Sequence, residues 1–251
     1  MTLSLWLAAP FIGLLLSLFA AGGGMVAVPL LHFGLGMPLK QAVATSLVIV
    51  ACVSLMALLQ KKRWQLIEWR LHRFFAFGGV LGGFGGASLG LYMSNQLQSM
   101  VFAMLVLFVA WLMHGEWMKS ITVNAKSMPC DCRLSILAGL GTGFMTGLLG
   151  VGGGFLIVPL LLILGVASYQ SAVAHSLALI VPSSLVAALR YAGNLEMSWS
   201  PVFAIVILAF MGTYLGNFIA DRYSSTYMQK AFSLMLTVMG GWMLLKLFAI
   251  E

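Results

Sequence analysis

Apolar residues run through this chain in stretches of about twenty, separated by short polar or glycine-rich segments. Residues 3–21, 39–60, 74–93 and 97–114 are such stretches, and a similar series follows from residue 134. About 20 apolar residues rising 1.5 Å each cross about 30 Å of hydrocarbon. Backbone groups cannot stay unpaired in lipid, so these runs predict spanning helices; the alternation expected of a membrane barrel strand is missing. After the first run, Gly22, Gly23 and Gly24 interrupt the pattern. Each glycine costs about 1 kcal/mol in a helix interior, so three in succession predict a break. Residues 25–35 resume as a helix only about half a membrane thick. Pro29 falls near its start, and Gly34, Gly36 and Pro38 end it.

The same pattern comes round again. Gly22–Leu31 reads GGGMVAVPLL and Gly152–Leu161 reads GGGFLIVPLL, identical at seven of ten positions and 130 residues apart. At that offset Ala42–Leu47 (AVATSL) falls on Ala172–Leu177 (AVAHSL), Ser54 on Ser184, Trp69 on Trp199, Gly82 on Gly212 and Gly86 on Gly216. The chain therefore divides into a first repeat (1–121), a connector (122–130) and a second repeat (131–251), with a second discontinuous helix expected over 152–165. Small residues recur four apart at Ala9, Gly13, Ser17 and Ala21, at Gly139, Gly143 and Gly147, and at Gly78, Gly82, Gly86 and Gly90. Such ridges let two helix backbones approach closely, within one protomer or between the protomers of a homodimer.

Composition agrees with a membrane protein: of 251 residues, 61% are hydrophobic and 8% charged, against about a quarter charged in soluble domains. The net charge of +7 lies in loops, with no recurring basic face or aromatic platform for nucleic acid. Basic residues there set orientation, and they place the 61–73 loop and the connector in the cytoplasm. Ten of the 13 basic residues fall inside whether each broken helix spans or returns. The charge rule therefore leaves parallel and inverted repeats open. Interrupted helices at matching positions favour the inverted arrangement. Residues 3–21 lack a basic lead and match the mid-chain run 134–151, so they read as mature structure, not a cleaved leader. Cys130 and Cys132 offer two thiolates where structural zinc takes four ligands, so neither a metal nor a cofactor is expected. The fold expected is an all-α polytopic protein with two tandem repeats, each a glycine-broken helix, re-entrant in the inverted arrangement, plus three spanning helices.

A helix that restarts inside a membrane presents unpaired N–H groups and the positive end of its dipole, a natural anion site. Two such starts exist, at Gly22-Gly23-Gly24-Met25 and Gly152-Gly153-Gly154-Phe155, each followed by a polar pair, Thr45-Ser46 and His175-Ser176. Hydroxyls can donate to an anion's oxygens, and no Lys or Arg sits mid-span, where it would cost about 2.5–3.5 kcal/mol. These twelve residues are the candidate substrate site. The opposing reading keeps the glycines for packing and ties the hydroxyls to their own helix carbonyls. His175, standing where the first repeat has Thr45, is a candidate proton carrier or a neutral, hydrogen-bonded ring. Gly150–Gly154 fits no nucleotide loop, since no strand precedes it and no Lys-Ser/Thr follows. No paired carboxylates or nucleophile elbow appears, so an enzyme, with catalytic residues of its own, is not expected.

The doubled triple glycine, with Pro before Leu-Leu and then Ala-Val-Ala-x-Ser-Leu, resembles the sulfite exporter TauE/SafE family of membrane permeases. The resemblance covers nearly the whole chain. It implies a secondary transporter of the bacterial inner membrane carrying sulfite, a sulfonate or a related organosulfur anion, coupled to protons or another ion. A passive anion channel and a non-transporting membrane assembly partner are the alternatives.

Overall fold

A computed structural model describes residues 3–19, 22–60, 63–114, 132–163, 169–195, 199–220 and 225–248; the connector lies outside them. The described residues form ten α-helices and no strand. They are α1 (Leu3–Phe19), α2 (Gly22–Pro29), α3 (Leu39–Gln60), α4 (Trp69–Tyr92), α5 (Asn95–His114), α6 (Cys132–Leu149), α7 (Gly154–Ile163), α8 (Tyr169–Ala192), α9 (Trp199–Ala220) and α10 (Ser225–Phe248). Four of them, α3, α4, α5 and α8, are long and apolar enough to cross a membrane; α1, α2, α6 and α9 contribute shorter apolar segments.

Hydrophobicity all round a helix means burial, and α3 and α8 meet that condition. Both are 72% buried over their most apolar stretch, against 44% for α4 and 39% for α5, so α3 and α8 form the centre and pack on each other. The outer helices turn Phe77, Phe84, Phe108, Trp111, Ile207 and Leu245 outward. Large apolar side chains on the outside suit a lipid surround rather than water.

The glycine ridges join helices within the chain. α4 lies along α6 and α1 along α9. A Cβ at Gly78, Gly82 or Gly86 would fall on the carbonyl oxygen of Ile136, Leu140 or Phe144, respectively. From the other side, a Cβ at Gly139, Gly143 or Gly147 would fall on the carbonyl of Phe75, Gly79 or Gly83. The second seam repeats the device with Gly13 on the Ala209 carbonyl and Gly212 on that of Pro10, and Ser17 Oγ donates to the Thr213 carbonyl at 3.0 Å. Backbones in direct contact leave no room for a side chain, which is why glycine occupies these rows.

Contact order along the seams fixes helix directions. Partner numbers rise together on α4 and α6, and on α1 and α9, so each pair is parallel. Gly240 packs on Leu107 while Ser233 bonds to Ala110, so α5 and α10 are antiparallel. α8 runs with α4: the Glu68 amide meets His175, Gly83 meets Ser183, and Arg190 Nε reaches Ser88. α3 runs against both, because Lys40 near its start caps the Leu91 carbonyl at the far end of α4.

The two breaks differ from each other. In the second copy the helix resumes at Gly154, close to the expected start. In the first, Gly22, Gly23 and Gly24 belong to α2, not to the interruption, and the helical run continues past Pro29 as a π-turn to Gly34, close to the expected end. The intrinsic penalty for Gly24 is outweighed by contact, since its Cα packs on the Val151 carbonyl. Pro29 marks the point where the α-helical part of this run gives way to the wider part. A proline has no N–H for the ladder, and the chain widens after it into a π-turn, Leu30–Gly34, with Leu35 N bonded to the Leu30 carbonyl at 3.2 Å.

The seams yield a stability test with an internal control. Gly82→Ala is expected to destabilise the protein by about 1–3 kcal/mol, because overpacking must push two backbones apart. Gly141→Ala, on the same helix pair but with open space at its Cβ, is expected to be neutral or mildly stabilising. Thermal unfolding in detergent compares the two.

Candidate functional site

The second break is built from left-handed backbone. Gly150, Gly152 and Gly153 have φ of 75°, 78° and 64°, a region that glycine enters without strain. Gly150 N closes α6 on the Thr146 carbonyl at 2.9 Å; Leu156 N and Ile157 N open α7 on the Gly153 carbonyl at 2.9 and 3.0 Å. Helix ends normally leave carbonyls unpaired. One is taken here by α3, as the fully buried Ser46 Oγ donates to the Gly150 carbonyl at 2.5 Å.

The glycine Cβ directions point at protein. Those of Gly150 and Gly153 meet Val43 and the Thr146 hydroxyl, and that of Gly152 meets Val50 and Ile180 together. The break therefore sits where α3 and α8 cross, and Gly24 brings the start of α2 against Val151 at the same place. Of the other sequence candidates, Met25 and Thr45 are buried and Gly154 opens α7. The surroundings of Gly22 and Gly23 and the side chain of Phe155 lie outside what the structure describes.

The crossing carries a feature that the break motif alone does not reveal. On α3, Ser46, Val50 and Ser54 stand four residues apart; on α8, Ser176, Ile180 and Ser184 do the same. Residues four apart share a helix face. All four serines are fully buried, and Ser54, Ser176 and Ser184 have no hydrogen-bond partner for Oγ among the described residues. α3 and α8 run oppositely through Val50 and Ile180, so Ser54 comes level with Ser176 and Ser46 with Ser184. Ser54 and Ser184 already correspond at the 130-residue offset. They escape a motif-based reading because they lie two turns beyond the polar pairs. A buried hydroxyl left unpaired costs about 1–3 kcal/mol. Each has a donor O–H to offer, Ser54 and Ser176 on one side of the crossing and Ser184 on the other.

His175 is fully buried, and its Nε2 accepts the Glu68 amide at 3.1 Å. That bond fixes the proton of a neutral ring on Nδ1, which has no partner among the described residues. The His72 ring lies 6.3 Å away, centroid to centroid, with its own Nδ1 buried and likewise unpartnered. His72 has no counterpart in the repeat motif, so only the packing of α4 on α8 reveals the pair. The histidines stand at the end of the bundle marked by the basic 61–73 loop, toward one side of the serine faces.

Residues 5–243 match the family described as Sulfite exporter TauE/SafE. The chain is 30% identical over 86% of its length to a probable membrane transporter protein of Xylella fastidiosa, of which it covers 83%. It is 29% identical to the probable membrane transporter protein MJ0441 of Methanocaldococcus jannaschii, over 93% of this chain and 92% of that one. With the probable membrane transporter protein YunE of Bacillus subtilis the identity is 22%, over 89% and 90%. No solved structure matches. A match over nearly the whole chain, on a helical bundle sheathed in apolar side chains, leaves one conclusion: this is a multi-pass membrane protein belonging to the sulfite exporter TauE/SafE family.

Proposed function

We propose that the protein is a secondary transporter of a small oxyanion, sulfite or an organic sulfonate, of the bacterial inner membrane. The anion binds where α3 and α8 cross beside the glycine breaks. The observation that carries this reading is the set of buried, unpartnered hydroxyls of Ser54, Ser176 and Ser184, on the two helices that flank the break. Their O–H groups, with the first-turn amides of α2 and α7, supply hydrogen bonds and a partial positive charge without a buried cation. Attraction of this kind holds an anion yet lets it leave, as a carrier requires. Thr45, Ser46, His175 and the six break glycines shape and position this site, with Met25 and Phe155 beside it.

The two repeats are inverted in this reading. Supporting it, α8 runs with α4 and α6, α3 runs against them, and α1 runs with α9. α9 follows α8 after a short turn and so returns toward the end where α8 began. α1 then opposes α6, its match at the 130-residue offset. α1 and α2 form a re-entrant pair, and the crossing of α3 and α8 lies on the pseudo-twofold axis, where alternating access pivots. His175 and His72 stand at the cytoplasmic mouth, where a coupling proton enters.

Flux of sulfite and methanesulfonate into vesicles, with and without an imposed pH gradient, tests the transport reading. Accumulation against a concentration gradient is expected and separates a carrier from a passive channel. The Ser54→Ala/Ser184→Ala double variant is expected to lose roughly tenfold or more in flux while unfolding at a higher temperature, since two unpaired buried hydroxyls are gone. Ser183→Ala is the control, as Ser183 Oγ bonds its own helix at Leu179 and Ile180 and should change flux little. Wild-type flux in the double variant would remove the hydroxyls from the site.

Topology is open to a separate measurement. Single cysteines at Asn95 and Asn194, in a Cys-free background, are expected to react with an impermeant thiol reagent from the periplasm only, and one at Trp64 from the cytoplasm only. Labelling of Asn95 and Asn194 positions from opposite faces would overturn the inverted arrangement.

A further inference from the structure

At the end of the bundle away from the basic loop, α4 and α8 flank an open groove of about 490 Å³, lined by Phe84, Val186, Leu189, Arg190, Gly193 and Asn194. Arg190 is its one charged residue. The guanidinium is held on two sides. Its Nε donates to Ser88 Oγ at 3.0 Å, and its carbon lies 5.6 Å from the centroid of the Phe84 ring. The hydroxyl and the aromatic face fix the plane of the group, which leaves the two terminal nitrogens as a fork directed away from both anchors.

A helix C-terminus ordinarily repels an anion, but this one is largely neutralised. The Leu189, Arg190 and Tyr191 carbonyls accept from Gly193 N, Asn194 Nδ2 and Asn194 N, respectively. The cation's field is thus not spent on its own helix end. The groove walls are apolar and face outward, with Phe84 53% and Leu189 64% exposed on the lipid-facing surface. A half-buried, oriented guanidinium beside an apolar wall at a membrane boundary has the makings of a receptor for an oxyanion group.

We propose that Arg190 and the Phe84–Leu189 groove bind a phosphate- or sulfonate-type group at the outer boundary, separately from the site between α3 and α8. Two sources offer that chemistry: the headgroup of an anionic phospholipid, whose chains would lie on Leu189 and Phe84, or a free oxyanion in solution. The inference rests on the α4–α8 geometry alone and survives a failure of the transport reading.

The test uses the full chain in nanodiscs of phosphatidylcholine doped with phosphatidylglycerol. Phosphatidylglycerol carried with the protein into detergent is counted by native mass spectrometry. Arg190→Gln is expected to retain about tenfold less than wild type, the loss of one charge-assisted contact, and Arg190→Lys an intermediate amount because the fork is lost. Val186→Trp, which fills the groove and keeps the arginine, is expected to lose retention too and serves if Arg190→Gln does not fold. In a second arm, pure phosphatidylcholine discs are titrated with inorganic phosphate and followed by thermal unfolding. Stabilisation of wild type but not of Arg190→Gln, with lipid retention unchanged, assigns the site to a soluble oxyanion. Equal lipid retention and equal response to phosphate in wild type, Arg190→Gln and Val186→Trp would overturn the proposal.

Discussion

Backbone-to-backbone contact along the two glycine seams is the constraint from which the rest of this architecture follows. In hydrocarbon, helices gain little from burying apolar side chains against one another, so association depends on dispersion and close fit. Gly78, Gly82 and Gly86 from α4 interleave with Gly139, Gly143 and Gly147 from α6, and the α1–α9 seam repeats the arrangement. Each seam joins a helix of one half to a helix of the other. The halves are therefore woven together rather than set side by side, and the two central helices are held crossed between the seams.

That crossing concentrates unusual chemistry in a small region. Left-handed turns at Gly150, Gly152 and Gly153 sit against Val50 and Ile180, and four buried serines flank the contact. Only Ser46 has its hydroxyl matched, to the Gly150 carbonyl. Other buried hydroxyls nearby, those of Thr142, Thr146 and Ser183, are all satisfied by their own helices. The contrast matters, because back-bonding is the low-cost default for Ser and Thr in a helix. Three serines on the two packed central helices, Ser54, Ser176 and Ser184, do not follow it.

Much of this was legible in the chain itself. The all-helical fold and the glycine ridges follow from spacing, because long apolar runs and a period of four on one face leave direct traces. The limits of the short helices were less legible. Propensity places the first interruption at Gly22–Gly24, yet those residues are helical, since the contact that stabilises Gly24 comes from Val151 in the other half. Pro29 was expected within the first turns of the short helix; the helix instead starts at Gly22, which puts Pro29 where the α-helix passes into a π-turn. The hydroxyl faces were half visible: Ser54 and Ser184 align at the offset, but whether a hydroxyl is satisfied depends on its neighbours in space. His72 and Arg190 carry no local signature at all. Their interest arises only when α4 is laid along α8.

The weaving also has a consequence for biogenesis. The hydroxyl of Ser17 on α1 finds its acceptor, the Thr213 carbonyl, 196 residues further along the chain. A ribosome delivers α1 to the bilayer long before α9 exists, so the first helix must wait among lipids or chaperones with its glycine row uncovered. Assembly is thereby tied to the end of translation. A truncated chain that stops before α9 leaves an open seam, the kind of lesion that membrane quality-control proteases can recognise.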